Sequence, residues 1–187
     1  PQEINDIFIT HLHVDHYADL PYLHAFTPFV GRWKPLRVYG PSGRTKELGT
    51  KTMIEHMLKM SAWHYRSFES LPVGDGYEVD VTEFDFKDDG GVCYDQDGVK
   101  VTHWRRSHMV DGASAYRLDW NGLSFVWTGD GKPDQLTAKY AKGVDVFVTD
   151  APAKRYGLGR GVVESALREL EEAGRVVRGE FLPGGLE

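Results

Sequence analysis

His11-Leu12-His13-Val14-Asp15-His16 places three imidazoles and one carboxylate within a single short stretch. Neutral imidazole and carboxylate are the ligand types that zinc and similar borderline divalent metals take. The preceding run, Ile4-Asn5-Asp6-Ile7-Phe8-Ile9-Thr10, reads as a buried strand that ends where the cluster begins. On a loop leaving that strand, His11 and His13 can face one ion while Asp15 and His16 face a second. The plain alternative is an accidental meeting of polar loop residues. H-x-H-x-D-H directly after an apolar strand is too specific a pattern for that.

Two downstream segments extend the pattern. Ser107-His108-Met109 follows the strand-like Val99-Lys100-Val101-Thr102-His103-Trp104, and Phe125-Val126-Trp127-Thr128 runs into Gly129-Asp130-Gly131-Lys132-Pro133. Together these segments resemble the metallo-β-lactamase fold superfamily of hydrolases, and within it the ribonuclease Z-like subgroup. In that subgroup H-x-D-H is followed by Asp-Leu-Pro, here Asp19-Leu20-Pro21. A stretch like Gly31-Arg32-Trp33-Lys34-Pro35-Leu36-Arg37-Val38-Tyr39-Gly40-Pro41 comes next, and Gly143-Val144-Asp145-Val146-Phe147-Val148-Thr149 is similar to the strand after the bridging Asp. Some members of the subgroup act in the biosynthesis of guanitoxin, a guanidine-containing phosphate ester, and the chain is similar to that branch.

The resemblance implies an α/β protein, a metallo-β-lactamase-like αββα sandwich over residues 1–157. It makes His11, His13 and His108 ligands of a first metal, Asp15 and His16 ligands of a second, and Asp130 the carboxylate that bridges both. Asp15 and Asp130 become the catalytic carboxylates. Two divalent ions are implied, zinc first and manganese or iron(II) as alternatives. The chemistry would be a metal-bridged hydroxide acting on a small ester, phosphoester or lactone. Two alternatives stay open: a phosphodiesterase acting on tRNA 3′ ends, and a binding module of the same fold that has lost catalysis. Two departures from the family pattern matter. The chain starts at the strand before the signature, so the N-terminal strands are expected to be absent. No His follows His108, so the second metal lacks its expected last protein ligand.

The elements that must position these groups alternate between strand and helix. Residues 17–25 predict a short helix behind the cluster, residues 36–39 a strand closed by Gly40-Pro41, and residues 44–60 a helix. The apolar face of that last helix carries Met53, Met57 and Met60, read as core packing. Tyr77, Val79 and Val81 alternate with charged residues as in a half-buried strand, with Phe84 and Phe86 continuing it beyond a bulge. Asp88-Asp89-Gly90-Gly91 is a solvated turn rather than a ligand set. Asn121-Gly122 joins two strands of a hairpin, and residues 133–141 predict a helix after the Gly-Asp turn. Residues 158–187 form a tail of uncertain origin, a helix over 161–174 and a strand over 175–181, loosely similar to a winged-helix segment of helicase-related proteins.

Composition narrows the function further. The chain has 187 residues, 41 % of them hydrophobic and 27 % charged, enough for one domain with a core. A net charge of −6 argues against a general nucleic-acid surface, which carries a basic patch. A small-molecule substrate is therefore expected, with nucleic acid disfavoured and a homodimer left open. No apolar run approaches a membrane span. The start Pro1-Gln2-Glu3 is no signal peptide but leaves open one upstream, so localisation stays open, with a soluble, cytoplasmic protein as the default expectation. The single cysteine, Cys93, rules out an internal disulfide and reads as a buried, inert thiol. Gly-x-Ser-x-Gly and Gly-x-x-x-x-Gly-Lys patterns are absent, which removes serine-hydrolase and P-loop chemistry. Arg105 and Arg106, just before His108, are candidates for holding a substrate anion. Trp33, Trp63 and His64 belong to an aromatic-rich stretch that either packs in the core or walls a substrate pocket.

Overall fold

The computed structural model describes residues 3–149 except 69, 110 and 111. The tail predicted over 158–187 lies outside these residues. The chain begins with β1 (Asp6–Phe8), α1 (Leu20–Phe26) and β2 (Leu36–Pro41), followed by α2 (Thr50–Arg66) and β3 (Val79–Phe84). It continues through β4 (Gly91–Gln96), β5 (Val99–Arg106), β6 (Ala113–Trp120), β7 (Leu123–Trp127), α3 (Gln135–Tyr140) and β8 (Val146–Val148). A parallel sheet in the order β1-β2-β3 faces a second sheet in the order β4-β5-β6-β7-β8, antiparallel except for its last pair.

Alternation along the strands decides which side chains go to which layer. Leu36 and Val38 of β2 point to the helix side of the first sheet, where they meet Ile9, Leu20 of α1, and Ile54 and Met57 of α2. Their neighbours along the strand point the other way. Phe8 stacks on Tyr39 at 4.7 Å and meets Tyr116 of β6 edge-on at 5.6 Å, while Phe84 lies 3.8 Å from the His103 ring of β5. An aromatic layer thus fills the space between the sheets. On the outer side of the second sheet, Trp104, Ala115 and Val126 pack under α3 with Ala141 and Val144. Helices on both outer faces make this the expected αββα sandwich. The second sheet has more strands than the first, so Leu123, Phe125 and Trp127 on its inner face stay exposed among the described residues.

Several local expectations shift. The helix expected at 44–60 starts six residues later, after a 3-10 turn at Lys46–Leu48 and an extended Gly49, and it runs on to Arg66. Met57 is buried but Met60 is exposed, so the methionine face is core only in part. No bulge interrupts β3, whose register with β2 holds to Phe84; the irregularity lies between Val92 and Tyr94 of β4. Strand β4 itself was not expected. It is tied to β5 by Asp97-Gly98, both at positive φ, the same two-residue hairpin signal as Asn121-Gly122. Cys93 on β4 donates to the Val101 carbonyl at 3.5 Å, and burial pushes its thiol up to about 12, in keeping with an inert role.

Arg32 holds the α1 side of the fold together. It is fully buried, and its guanidinium donates to Thr27 Oγ1 at 2.6 Å, to the Lys34 carbonyl at 2.8 Å and to the Gly76 carbonyl at 2.7 Å. Removing it would strand two buried carbonyls and a hydroxyl. Arg32→Ala is therefore expected to destabilise the chain by about 2 kcal/mol. An unchanged urea midpoint would show that the segments it joins hold without it.

Candidate metal centre

The first strand delivers the signature to a clamped position. Ile9 N donates to the Tyr39 carbonyl at 2.8 Å, Tyr116 Oη donates to the Ile9 carbonyl at 2.5 Å, and Ser114 N donates to the Thr10 carbonyl at 2.8 Å. The backbone is thus gripped from both sheets just before His11. The end of β7 comes equally close: a Cβ on Gly129 would sit 2.8 Å from Thr10 Cβ, and Gly129 has φ +55°. Only glycine fits there without strain, which is why the turn bearing Asp130 reads Gly-Asp-Gly.

Four side chains from three loops converge at this end of the sandwich. One ligand atom from each of His11, His13, His108 and Asp130 lies within 4.8 Å of the others. His11 Nε2 and His108 Nε2 each lie 3.1 Å from His13 Nδ1. Three imidazole nitrogens bonded to one tetrahedral zinc at 2.0–2.1 Å would stand about 3.3 Å apart, so the donor set fits a divalent cation. Asp130 extends between two histidines, with Oδ2 3.4 Å from His108 Nε2 and Oδ1 3.6 Å from His16 Nε2. Asp15 Oδ2 lies 3.6 Å from the same His16 nitrogen, with 81 % of its side chain exposed. The 3-10 turn Val14–His16 brings Asp15 and His16 around to that side.

Burial keeps His11 and His108 neutral. His11 is lowered to about 4, first by burial and then by the neighbouring His16, His108 and His13, with Asp130 opposing. His108 is lowered by burial as well, again against Asp130. At neutral pH both rings keep free lone pairs for a metal. The orientation of His11 has a further cause: Thr10 Oγ1 lies 3.1 Å from its Nδ1, leaving Nε2 to face the cluster. Thr10 was not singled out in the sequence, although its place directly before His11 is a signal for this contact.

The candidate substrate residues fare differently. Arg106, expected to meet a substrate anion, has a side chain 1 % exposed and ion-paired with Asp134. It lies on the same side of β5 as Trp104, facing α3. Arg105 is half exposed and pairs with Asp89 at 3.0 Å, and Asp89 also accepts from the Arg105 backbone N–H. The acidic turn is thereby a local brace. His64 lies 3.3 Å from the Ala25 carbonyl through Nε2 and packs among Phe26, Phe29 and Phe68. Trp33 and Trp63 project into solvent, Trp63 at 84 % exposure.

Known proteins share the fold and parts of the sequence. A ribonuclease Z from Methanococcus maripaludis is 52 % identical over 58 residues, covering 31 % of this chain and 17 % of that protein. Ribonuclease BN of Proteus mirabilis is 32 % identical over 135 residues, 72 % of this chain and 35 % of the relative. This chain therefore spans about a third of that relative's length, and less of the archaeal one. Among solved structures, the short form of human tRNase Z superposes with a TM-score of 0.57 at 20 % identity, covering 78 % of this chain and 57 % of that one. YhfI of Bacillus subtilis, a metallo-β-lactamase fold protein, gives 0.51 at 18 %, over 76 % and 48 %. The model of the beta-lactamase superfamily domain matches residues 1–177, and the chain belongs to that family, with a metallo-β-lactamase fold of the ribonuclease Z-like kind.

Proposed function

We propose that the chain carries the metal centre of a hydrolase acting on a small ester or phosphodiester. The carrying observation is the convergence of His11, His13, His108 and Asp130, with Asp130 extending from that group toward His16. His11, His13, His108 and Asp130 would hold one divalent ion, and Asp15, His16 and Asp130 a second. When bound, such ions acidify water and stabilise charge on the scissile group. The protein's own part is to hold neutral imidazoles and one shared carboxylate in place before any metal arrives. Asp15, the exposed carboxylate beside His16, would accept the proton released when water adds across the ester bond and pass it to solvent. The products are one acid and one alcohol. Family membership supports metal-dependent hydrolysis, and the donor set favours zinc with manganese as an alternative.

A second reading, cleavage of tRNA 3′ trailers, is favoured by the relatives named ribonuclease Z. The net charge of −6 weighs against it, because a polyanion is repelled by an acidic surface at low salt. The deciding assay offers bis(p-nitrophenyl) phosphate, a p-nitrophenyl ester and a pre-tRNA with a 3′ trailer side by side, with zinc or manganese. Turnover of a small substrate alone is the expected result. Trailer cleavage with neither small substrate turned over would replace this reading with the second, and metal binding without any turnover would leave a binding module.

A further inference from the structure

Arg106 ends β5, two residues before His108. Its guanidinium is spent on structure in an unusual way. Nη1 donates to Asp134 and, at 2.8 Å, to Thr137 Oγ1. Asp134 is itself the N-cap of α3, accepting from Thr137 N at 2.7 Å through its other oxygen. Trp104 Nε1 donates to the same Thr137 hydroxyl at 3.1 Å. Nε is buried and makes no hydrogen bond within the described residues.

The remaining face of the guanidinium lies against the turn that carries Asp130. A Cβ placed on Gly131 would stand 3.0 Å from both Nε and Nη2 and 3.1 Å from Cζ, and Gly131 has φ +146°. The next residue, Lys132, donates its backbone N–H to the Ser107 carbonyl at 3.3 Å. The loop bearing His108 and the turn bearing Asp130 are therefore joined twice, once by this backbone bond and once by the Arg106 plane. The charge of Arg106 is also felt at both Asp130 and His108.

We propose that Arg106 is a positioning residue: its guanidinium, clamped by Asp134 and lying against Gly131, sets where Asp130 stands relative to His108. Lysine cannot do this, because a point charge on a flexible stem offers neither the planar face nor the fixed fork. The inference rests on the metal-centre reading but not on turnover, so its test is metal binding. Side chains that orient ligands without touching the ion change metal affinity or activity by 10–100-fold when removed.

Cobalt(II) reports the geometry of such a centre by its visible absorption bands. Arg106→Met, similar in length but without the charge or the fork, is expected to weaken cobalt binding at least about 10-fold and to shift those bands. Arg106→Lys should not restore them. Arg117→Met serves as the structural control. Arg117 pairs with Asp119 and the Tyr140 and Lys142 carbonyls, so its removal should lower thermal stability and leave the cobalt spectrum alone. Should Arg106→Met fail to fold, Gly131→Ala tests the same contact from the other side and should shift the bands in the same way. An unchanged cobalt affinity and spectrum in the folded variant would overturn the proposal, as would recovery by lysine or a wild-type chain that binds no cobalt. Cobalt bound normally by wild type with no substrate hydrolysed would instead remove the hydrolase reading and leave this one standing.

Discussion

A His13→Ala variant is expected to lose its metal almost completely, with affinity falling more than about 100-fold. His13 Nδ1 is the nitrogen that both His11 Nε2 and His108 Nε2 approach at 3.1 Å, so it stands at the centre of the donor set. Outer partners of metal ligands already change affinity by up to about 100-fold, and a direct ligand should exceed that. The same variant should lose any hydrolytic activity to a similar degree, since the proposed chemistry depends on the bound metal. His56, exposed on α2, provides the comparison: His56→Ala should retain metal and rate. Zinc per chain after dialysis, with titration of the remaining affinity, checks the claim. Equal metal content in wild type and His13→Ala would mean that the ion sits elsewhere.

How much of this centre could be read from the chain depends on how far apart its parts lie. His11, His13, Asp15 and His16 are legible together because one loop carries them and the strand before them is apolar. His108 and Asp130 are legible only through the family resemblance of the segments that carry them, and Gly129 is explained by its close approach to Thr10. The role of Arg106 was not legible. Two adjacent arginines beside a ligand look alike in sequence, yet strand alternation sends Arg105 to the side of the acidic turn and Arg106 under α3. The partner that decides this, Asp134, is 28 residues away in the chain. Periodicity likewise could not place the aromatic stretch. The extension of α2 to Arg66 puts Trp63 on an exposed face and His64 beside the Ala25 carbonyl. Strand β4 was missed because most of its residues are half-exposed or polar, although Asp97-Gly98 marked the turn that follows it.

Acid should destabilise the metal-free chain through its buried histidines. His11 falls from an ordinary 6.5 to about 4 in the folded chain, chiefly through burial. Buried His103 and His24 are lowered for the same first reason, His103 against the nearby Asp88, Asp89 and Asp85, and His24 against its bond to the Tyr77 carbonyl. Each of these rings is neutral in the fold and easily protonated once unfolded. Between about pH 4 and 6.5 the unfolded chain binds protons that the folded chain refuses, so falling pH draws the equilibrium toward unfolding. The stability linked to His11 is present above pH 6.5 and is lost as pH drops toward 4. For His11 alone the full difference is worth about 3 kcal/mol, of which about 2 kcal/mol is lost by pH 5. His24 and His103 add to the same slope. The measurement is the urea midpoint of chelator-treated protein at pH 7.5 and pH 5.0, in wild type and in His11→Gln. Wild type should lose stability over that interval and His11→Gln distinctly less, because glutamine carries no proton to gain. An equal midpoint at both pH values in wild type would show that these histidines already reach water in the folded chain. The buried, neutral cluster on which the metal centre depends would then have to be abandoned.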